Sequence, residues 1–287
     1  MSTPSVHSRH HADTGTWSHV VADPATRVAA IIDPVLDFDI KSGRTGTGFA
    51  QSLLEIVATG GFELQWILET HAHADHLSAA PWLKAATGAR IGIGAGIREV
   101  QATFKPIFNL EPSFATDGSQ FDHLFADGET FRLGEIECQV IATPGHTNDS
   151  VSYLVGEALF VGDSLFMPDS GTARCDFPGG DAATLYRSVQ RLYALPGATR
   201  VFVCHDYAPG GRQVRAETSI DEQRAGNIHV HQGISEANFV QVRQARDATL
   251  SIPALMLPAV QVNIRAGFLP EPEANGTRYL KIPLDRN

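Results

Sequence analysis

The chain has 287 residues, of which 43% are hydrophobic, so one large α/β domain could bury a full core without disulfide support. A net charge of −10 without any basic run argues against nucleic acid as a partner. Three widely separated cysteines, no apolar run of 18 residues and no apolar segment near the amino terminus predict a cytoplasmic protein with no disulfides and no membrane partner.

Strands and helices are predicted to alternate along the first ninety residues. The predicted strands are 17–22, 27–32 and 62–70, the predicted helices are 49–58 and 77–87, and a polar glycine-rich loop is expected at 41–48. Gly88 is expected to end the second helix, because glycine adopts the left-handed conformation common at helix C-termini. The loop between strand 62–70 and helix 77–87 therefore starts at the carboxyl end of a strand.

That loop has the sequence THAHADH over residues 70–76, which places four potential metal ligands within six residues. His71 and His73 are two residues apart, so in an extended segment both side chains point to the same side. Asp75 and His76 lie at the turn into the helix, where they could serve a neighbouring position. This concentration of imidazole and carboxylate groups predicts a metal site.

Three more candidate ligands occur downstream, and each follows a predicted strand. They are His146 in TPGHT after strand 136–142, Asp163 after strand 158–161, and His205 in CHDY after strand 200–204. The other predicted elements are strands at 90–93, 130–132 and 150–155 and helices at 97–104, 182–195, 219–225 and 235–248, with 105–120 irregular. Ligands delivered to one sheet edge by separate strands would form a preorganised site.

Four motifs together resemble the metallo-β-lactamase superfamily. They are THAHADH at 70–76, TPGHT at 143–147, Gly-Asp at 162–163 and CHDY at 204–207. The resemblance runs from about residue 12 to 210 and implies an α/β fold, an αββα sandwich of two mixed sheets flanked by helices. Residues 1–210 would form the metal-binding core, and residues 211–287 a C-terminal extension packed on the same domain.

Two glutathione-linked branches of this superfamily are similar to the chain. One is glyoxalase II, a dinuclear hydrolase of glutathione thioesters; the other is persulfide dioxygenase, a mononuclear iron enzyme that oxidises glutathione persulfide to sulfite. The segment Arg174-Cys175-Asp176-Phe177 resembles the Arg-x-Asp-Phe of the dioxygenases, and His205-Asp206-Tyr207 also suits them better. Cys175 departs from the animal form, which has threonine there, so the bacterial type with a longer C-terminal region is the nearer match.

By this resemblance His71, His146 and Asp163 would bind one Fe(II) per chain. Two imidazoles and one carboxylate leave coordination positions open, which is typical of non-haem iron oxygenases. His73, Asp75, His76 and His205 would either support these ligands or bind a second metal, as in a zinc hydrolase. The residue types alone leave both possibilities open.

The remaining expectations concern the substrates, glutathione persulfide and O2. Arg174 could pair with a carboxylate of glutathione, because its guanidinium binds such groups in bidentate fashion. Tyr207, as a catalytic residue beside the metal, could hydrogen-bond the substrate. Cys175 could exchange sulfur if its thiol pKa were lowered, although a buried packing role is the simpler interpretation. A homodimer is expected from the resemblance alone.

Overall fold

Two six-stranded β-sheets face each other in the computed structural model, which describes residues 3–285. The strands of the described residues are, in chain order, β1 (Ser5–His11), β2 (Thr16–Asp23), β3 (Val28–Ile32), β4 (Val35–Asp39), β5 (Arg44–Gly46), β6 (Glu63–Leu68), β7 (Leu77–Ser78), β8 (Arg90–Gly94), β9 (His123–Phe125), β10 (Thr130–Leu133), β11 (Ile136–Ala142), β12 (Val151–Val155), β13 (Ala158–Phe160), β14 (Arg200–Phe202) and β15 (Glu217–Ser219). The helices are α1 (Gly48–Thr59), α2 (Ala80–Thr87), α3 (Ile97–Ile107), α4 (Ala182–Tyr193), α5 (Ile220–Gly226), α6 (Glu236–Asp247) and α7 (Met256–Asn263).

Both large sheets are mixed. The first has the order β1-β2-β3-β6-β8-β9, antiparallel as far as β3 and parallel from β3 onwards. The second has the order β10-β11-β12-β13-β14-β15 and is antiparallel except for the parallel pair β13 and β14. A small sheet, β5-β4-β7, lies beside them. Parallel neighbours bring the carboxyl ends of their strands to the same edge, which is where the candidate ligands are.

Three layers of apolar side chains hold the sheets and helices together. One layer packs α1, α2 and α3 on the outer face of the first sheet. A second fills the space between the sheets, with Trp66, Phe125, Tyr153 and Phe160 among its buried members. The third packs α4 on the outer face of the second sheet. This order of helix, sheet, sheet and helix confirms the predicted αββα sandwich.

Most predicted elements are present. The expected helix 77–87 begins only at Ala80, because residues 77–78 pair with β4 as strand β7. Gly88 ends it at φ 78°, as predicted.

Several elements were not predicted, namely β1, β4, β9, β15 and α7, and the predicted loop at 41–48 contains β5. Strands of three residues, such as β5, β9 and β15, carry too little periodicity to be recognised in a sequence. Strand β1 has seven residues, but its sequence SVHSRHH is almost entirely polar and shows no apolar alternation.

The C-terminal region packs on both faces of the sandwich. Strand β15 extends the second sheet beyond residue 210, α6 packs against α4, and α7 contacts β7. The division at residue 210 therefore stays a prediction, and the ends of the two proposed regions lie partly outside the described residues. No helix within residues 3–285 is both long enough and apolar enough to cross a membrane.

Candidate metal centre

The candidate ligands come together at one edge of the sandwich because each follows the end of a strand. The loop 70–76 follows β6, His146 follows β11, Asp163 lies in a 3-10 turn after β13, and His205 follows β14. All of them except Asp75 are buried. The structure thus brings together every ligand candidate predicted from the sequence.

Two glycines let the loops approach this closely. Gly162 has φ 51°, and a Cβ on it would lie 2.6 Å from Thr70 Oγ1, beside the histidine loop. Gly145 has φ 134°, and a Cβ there would lie 2.3 Å from the backbone nitrogen of Leu185 in α4. At both positions φ is positive and a Cβ atom would clash with a neighbouring residue, so only glycine fits. Gly162 directly precedes Asp163, and Gly145 directly precedes His146.

His71, His146 and Asp163 form a compact group of donors. Their ligand atoms lie within 4.8 Å of one another, with Asp163 Oδ2 at 4.0 Å from His71 Nε2 and 3.6 Å from His146 Nε2. Within the described part of the chain, His71 Nε2 and Asp163 Oδ1 are buried without a hydrogen-bond partner. Buried polar atoms normally have partners, so these unpaired atoms fit a cation held between them.

The two imidazoles present their Nε2 atoms to this group. His146 Nδ1 donates to the carbonyl oxygen of Arg174 at 2.7 Å, so Nε2 is the nitrogen that lies near Asp163. Burial, and next the neighbouring His73, lower the pKa of His71 well below its usual value. A neutral imidazole is the form that binds a metal. His71 therefore has the protonation state that metal binding requires.

A second group lies beside the first. The ligand atoms of His73, Asp75 and His76 also lie within 4.8 Å of one another, and the rings of His71 and His73 are 4.0 Å apart between centroids. His73 Nδ1 and His76 Nε2 are buried without hydrogen-bond partners among the described residues. The arrangement can support the first group or bind a second cation.

His205 bridges the two groups. Its Nε2 lies 3.2 Å from Asp75 Oδ2 and 3.5 Å from Asp163 Oδ1, and its Nδ1 donates to the carbonyl oxygen of Gly15 at 3.1 Å. Burial lowers the pKa of His205, but the carboxylates of Asp163 and Asp75 outweigh it and raise the pKa overall. His205 therefore adds a contact between the second sheet and both carboxylates.

Several supporting residues were not found by sequence reasoning. His73 Nε2 lies 3.0 Å from Asp33 and 3.7 Å from Glu69, two buried carboxylates whose pKa values are raised, mainly by burial. Thr16 Oγ1 donates to Asp75 Oδ2 at 3.2 Å. Asp33 could have been suspected, since it also follows a strand. Nothing in the pattern around Thr16 indicates its contact.

A cavity of about 380 Å³ lies beside the two groups. His146, Asp163, Asp75 and His205 are among its lining residues. The other lining residues are Ala74, Phe166, Ser170, Thr172, Ala173, Arg174, Phe177, Tyr207, His229, Arg243, Arg246, Leu250, Ser251 and Pro253. The cavity thus connects the ligands with residues of the 170–177 loop and of the C-terminal region.

Arg174 lines the cavity, but its guanidinium already has partners. Its Nε and one terminal nitrogen bind both carboxylate oxygens of Asp176, at 2.6 and 2.7 Å, and the other terminal nitrogen donates to the carbonyl oxygen of Ser251 at 2.6 Å. It also lies 4.8 Å from the ring centroid of Phe177. Asp176 thus occupies the two N–H groups with which Arg174 could bind a substrate carboxylate in bidentate fashion. The pairing of Arg174 with a substrate carboxylate stays a prediction.

Tyr207 lies at the cavity with 69% of its surface exposed. Its ring stacks on that of His205, with 6.2 Å between centroids, and meets Phe166 edge-on at 5.3 Å. The phenol is therefore accessible to a molecule in the cavity. Its predicted catalytic role stays a prediction.

The three cysteines are buried thiols. Burial raises the pKa of Cys138 to about 12 and raises the pKa of Cys175 and Cys204 further above the usual value. A thiolate is the reactive form, so burial of Cys175 favours the packing role over sulfur exchange. Cys175 instead donates its backbone N–H to Asp247 at 2.9 Å.

The model of the metallo-beta-lactamase superfamily matches residues 13–205, which include all of these ligands. The chain belongs to the metallo-beta-lactamase superfamily. A probable metallo-hydrolase of Burkholderia pseudomallei is 52% identical over 95% of this chain and 96% of its own length. Glyoxylase B2 of Dictyostelium discoideum is 48% identical over 95% of this chain and 94% of its own.

Members with a different named activity are more distant. The mitochondrial persulfide dioxygenase ETHE1 of Mus musculus is 28% identical over 90% of this chain and 86% of its own. Among solved structures, ETHE1 from Myxococcus xanthus superimposes with a TM-score of 0.72 at 31% identity, over 92% of this chain and 100% of that one. The chain is thus similar both to a protein named as a probable metallo-hydrolase and to one named as a persulfide dioxygenase.

Proposed function

We propose that the protein is a persulfide dioxygenase that oxidises glutathione persulfide with O2 to sulfite and glutathione. The observation that carries the proposal is the buried group of His71, His146 and Asp163, with its unpaired nitrogen and oxygen atoms. Two imidazoles and one carboxylate are the donor set of non-haem Fe(II) oxygenases, and we propose one iron per chain. We propose with it a cytoplasmic homodimer, on the resemblance alone.

The protein side of this chemistry is orientation and protonation. The hydrogen bond from His146 Nδ1 to the carbonyl oxygen of Arg174 orients the His146 ring. Burial keeps His71 neutral, the form in which an imidazole binds a metal. Fe(II), when bound, would supply the electron transfer between sulfur and O2, which Zn2+ cannot supply. Each persulfide consumes one O2 and one water and yields one sulfite, one glutathione thiol and two protons.

The cavity is suited to a substrate with an apolar and a polar part. Phe166 and Phe177 supply aromatic surface, and Tyr207 an accessible phenol. We retain Tyr207 as the residue that hydrogen-bonds the persulfide or a ligand, and Arg174 as a substrate-binding residue that would have to exchange partners. The similarity of the chain to the persulfide dioxygenase of mouse and to the solved ETHE1 structure supports the proposed dioxygenase activity.

A dinuclear hydrolase of glutathione thioesters, with zinc, is the second candidate. It is favoured by one specific observation, the second donor group of His73, Asp75 and His76 with its own unpaired nitrogens. Asp163 would then bridge two metals. The name of the relative at 52% identity, a probable metallo-hydrolase, also favours hydrolysis.

The deciding experiment compares both reactions on one preparation. Protein purified anaerobically is assayed for iron and zinc per chain, for O2 consumption and sulfite formation with glutathione persulfide, and for hydrolysis of S-lactoylglutathione. One iron per chain with sulfite formed one-to-one with O2 consumed is the expected result. A flat oxygen trace together with rapid thioester hydrolysis would overturn the dioxygenase proposal.

A further inference from the structure

Three arginines line the cavity, and two of them are neutralised by neighbouring carboxylates. Arg174 binds Asp176 through both oxygens. Arg243 is buried and pairs with Asp247 at 2.7 Å. Neither guanidinium is available to a ligand without breaking a formed ion pair, which is costly when a buried charge is left unpaired.

Arg246 differs from both. It is an exposed residue one turn after Arg243 on α6 and also lines the cavity. Within residues 3–285 its guanidinium makes no ion pair, and its one side-chain hydrogen bond goes to Thr249 Oγ1 at 3.4 Å. A planar guanidinium without an acidic partner is suited to bind a carboxylate through two N–H groups.

His229 supplies a second donor beside it. The backbone N–H of Thr172 donates to His229 Nδ1 at 3.0 Å, so Nδ1 is the acceptor and the ring proton lies on Nε2. Burial and the adjacent Arg243 and Arg246 lower the pKa of His229 to about 4, so the ring is neutral at physiological pH. A fixed N–H donor in the cavity wall complements the charge of Arg246.

We propose that Arg246, assisted by His229, binds a carboxylate of the substrate in the cavity that Asp163 also lines. The cavity wall then combines candidate metal ligands with an anion site. A carrier that bears a thiol-derived group and a carboxylate, such as glutathione, fits between them. This inference rests on the proposed function for the choice of glutathione as the carrier.

The test separates the carboxylate contact from the reaction. Binding of S-methylglutathione and of its diethyl ester, which lacks both carboxylates, is measured by calorimetry on the metal-loaded protein. For Arg246→Gln we expect affinity for the free acid to fall by about 5- to 15-fold, with the ester unaffected. This range lies between the upper value for an exposed ion pair and the lower value for a hydrogen bond to a charged group. Arg246→Lys should recover part of the loss.

Arg132→Gln is the matched control. Arg132 is an exposed arginine on β10 that does not line the cavity, and replacing it changes the net charge by the same amount as Arg246→Gln. It should leave both affinities unchanged. In oxygen-electrode assays with glutathione persulfide, Arg246→Gln should raise KM by a similar factor while kcat stays near the wild-type value.

The outcomes distinguish this inference from the proposed function. Acid-selective binding that depends on Arg246, in a protein that does not oxidise persulfide, supports the anion site and rejects the dioxygenase. Normal persulfide oxidation with no change in acid affinity or KM in Arg246→Gln rejects the anion site alone. Equal wild-type affinity for the acid and the ester also overturns the inference.

Discussion

Asn263 donates a hydrogen bond from its side-chain amide to the carbonyl oxygen of His73, at 2.8 Å, although the two residues are 190 positions apart. The same Nδ2 donates to the carbonyl oxygen of His76 at 2.7 Å, and Oδ1 accepts the backbone N–H of Ser78 at 2.9 Å. Asn263 is buried at the end of α7. One amide of the C-terminal region therefore fixes the main chain on which the histidine loop is built.

The first prediction is that Asn263→Ala lowers both stability and metal retention. It leaves two carbonyls and one N–H buried without partners, so we expect a loss of about 2–4 kcal/mol in the free energy of unfolding. Urea unfolding and the iron content after dialysis against a chelator measure the two effects. Asn238→Ala, at an exposed position of α6, is the control. Wild-type iron retention in Asn263→Ala would show that the loop does not depend on this amide.

The second prediction concerns the ligand set. His71→Ala, His146→Ala or Asp163→Ala should abolish iron binding, because each removes one of three proposed protein ligands. His73→Ala should reduce metal affinity or activity by only about 10- to 100-fold, as losses of supporting contacts typically do. Metal analysis and anaerobic titration with Fe(II) test this. Equal loss of iron in His71→Ala and His73→Ala would contradict the mononuclear assignment.

The third prediction separates two roles for Arg174. If Arg174 binds a substrate carboxylate, Arg174→Ala should lower kcat/KM by about 10- to 150-fold, mostly through KM. Asp176→Asn, which weakens the ion pair holding the guanidinium, should then leave KM unchanged or lower it. The ion pair between Arg174 and Asp176 could instead fix the loop in which the carbonyl oxygen of Arg174 accepts a hydrogen bond from His146. In that case both variants should lose activity and iron together. Steady-state kinetics with metal analysis on the two variants decides between these outcomes.

The fourth prediction is a loss of stability in acid caused by His19. Burial lowers the pKa of His19 to about 4, although Asp33 and the carbonyl of Val203 act in the opposite direction. The unfolded chain, with a His pKa near 6.5, therefore binds a proton that the folded chain does not between about pH 6.5 and 4. This contribution to stability is complete above pH 6.5 and is lost as the pH falls towards 4.

From pH 7.5 to pH 5 the wild-type protein should lose about 2 kcal/mol more stability than His19→Gln, which does not titrate. Urea unfolding at the two pH values measures the difference. His7→Gln, at an exposed position of β1, should follow the wild type. Parallel pH dependence in the wild type and His19→Gln would mean that His19 is protonated equally in the folded and unfolded states.

The local sequence was sufficient to locate the candidate ligands. His71, His146, Asp163 and His205 were each expected after a strand, and each is found there, because side-chain alternation and turn residues are properties of a few neighbouring positions. The helix end at Gly88 was predictable for the same reason. The αββα sandwich was predicted from the resemblance of four motifs to the metallo-β-lactamase superfamily. The periodicity of apolar residues alone could not have distinguished this fold from other α/β folds.

Only the tertiary structure decided which distant groups contact these ligands. Asn263 reaches the histidine loop because α7 packs on β7. Among the described residues Arg246 has no acidic partner, while Arg174 and Arg243 each have one. Nothing local to an arginine or an asparagine determines its partner, since that depends on how helices far apart in the chain pack and in which direction each side chain extends. The sequence by itself thus determined the candidate ligands and the edge where they meet, whereas long-range packing determined which residues hold them in place and which other side chains line the cavity.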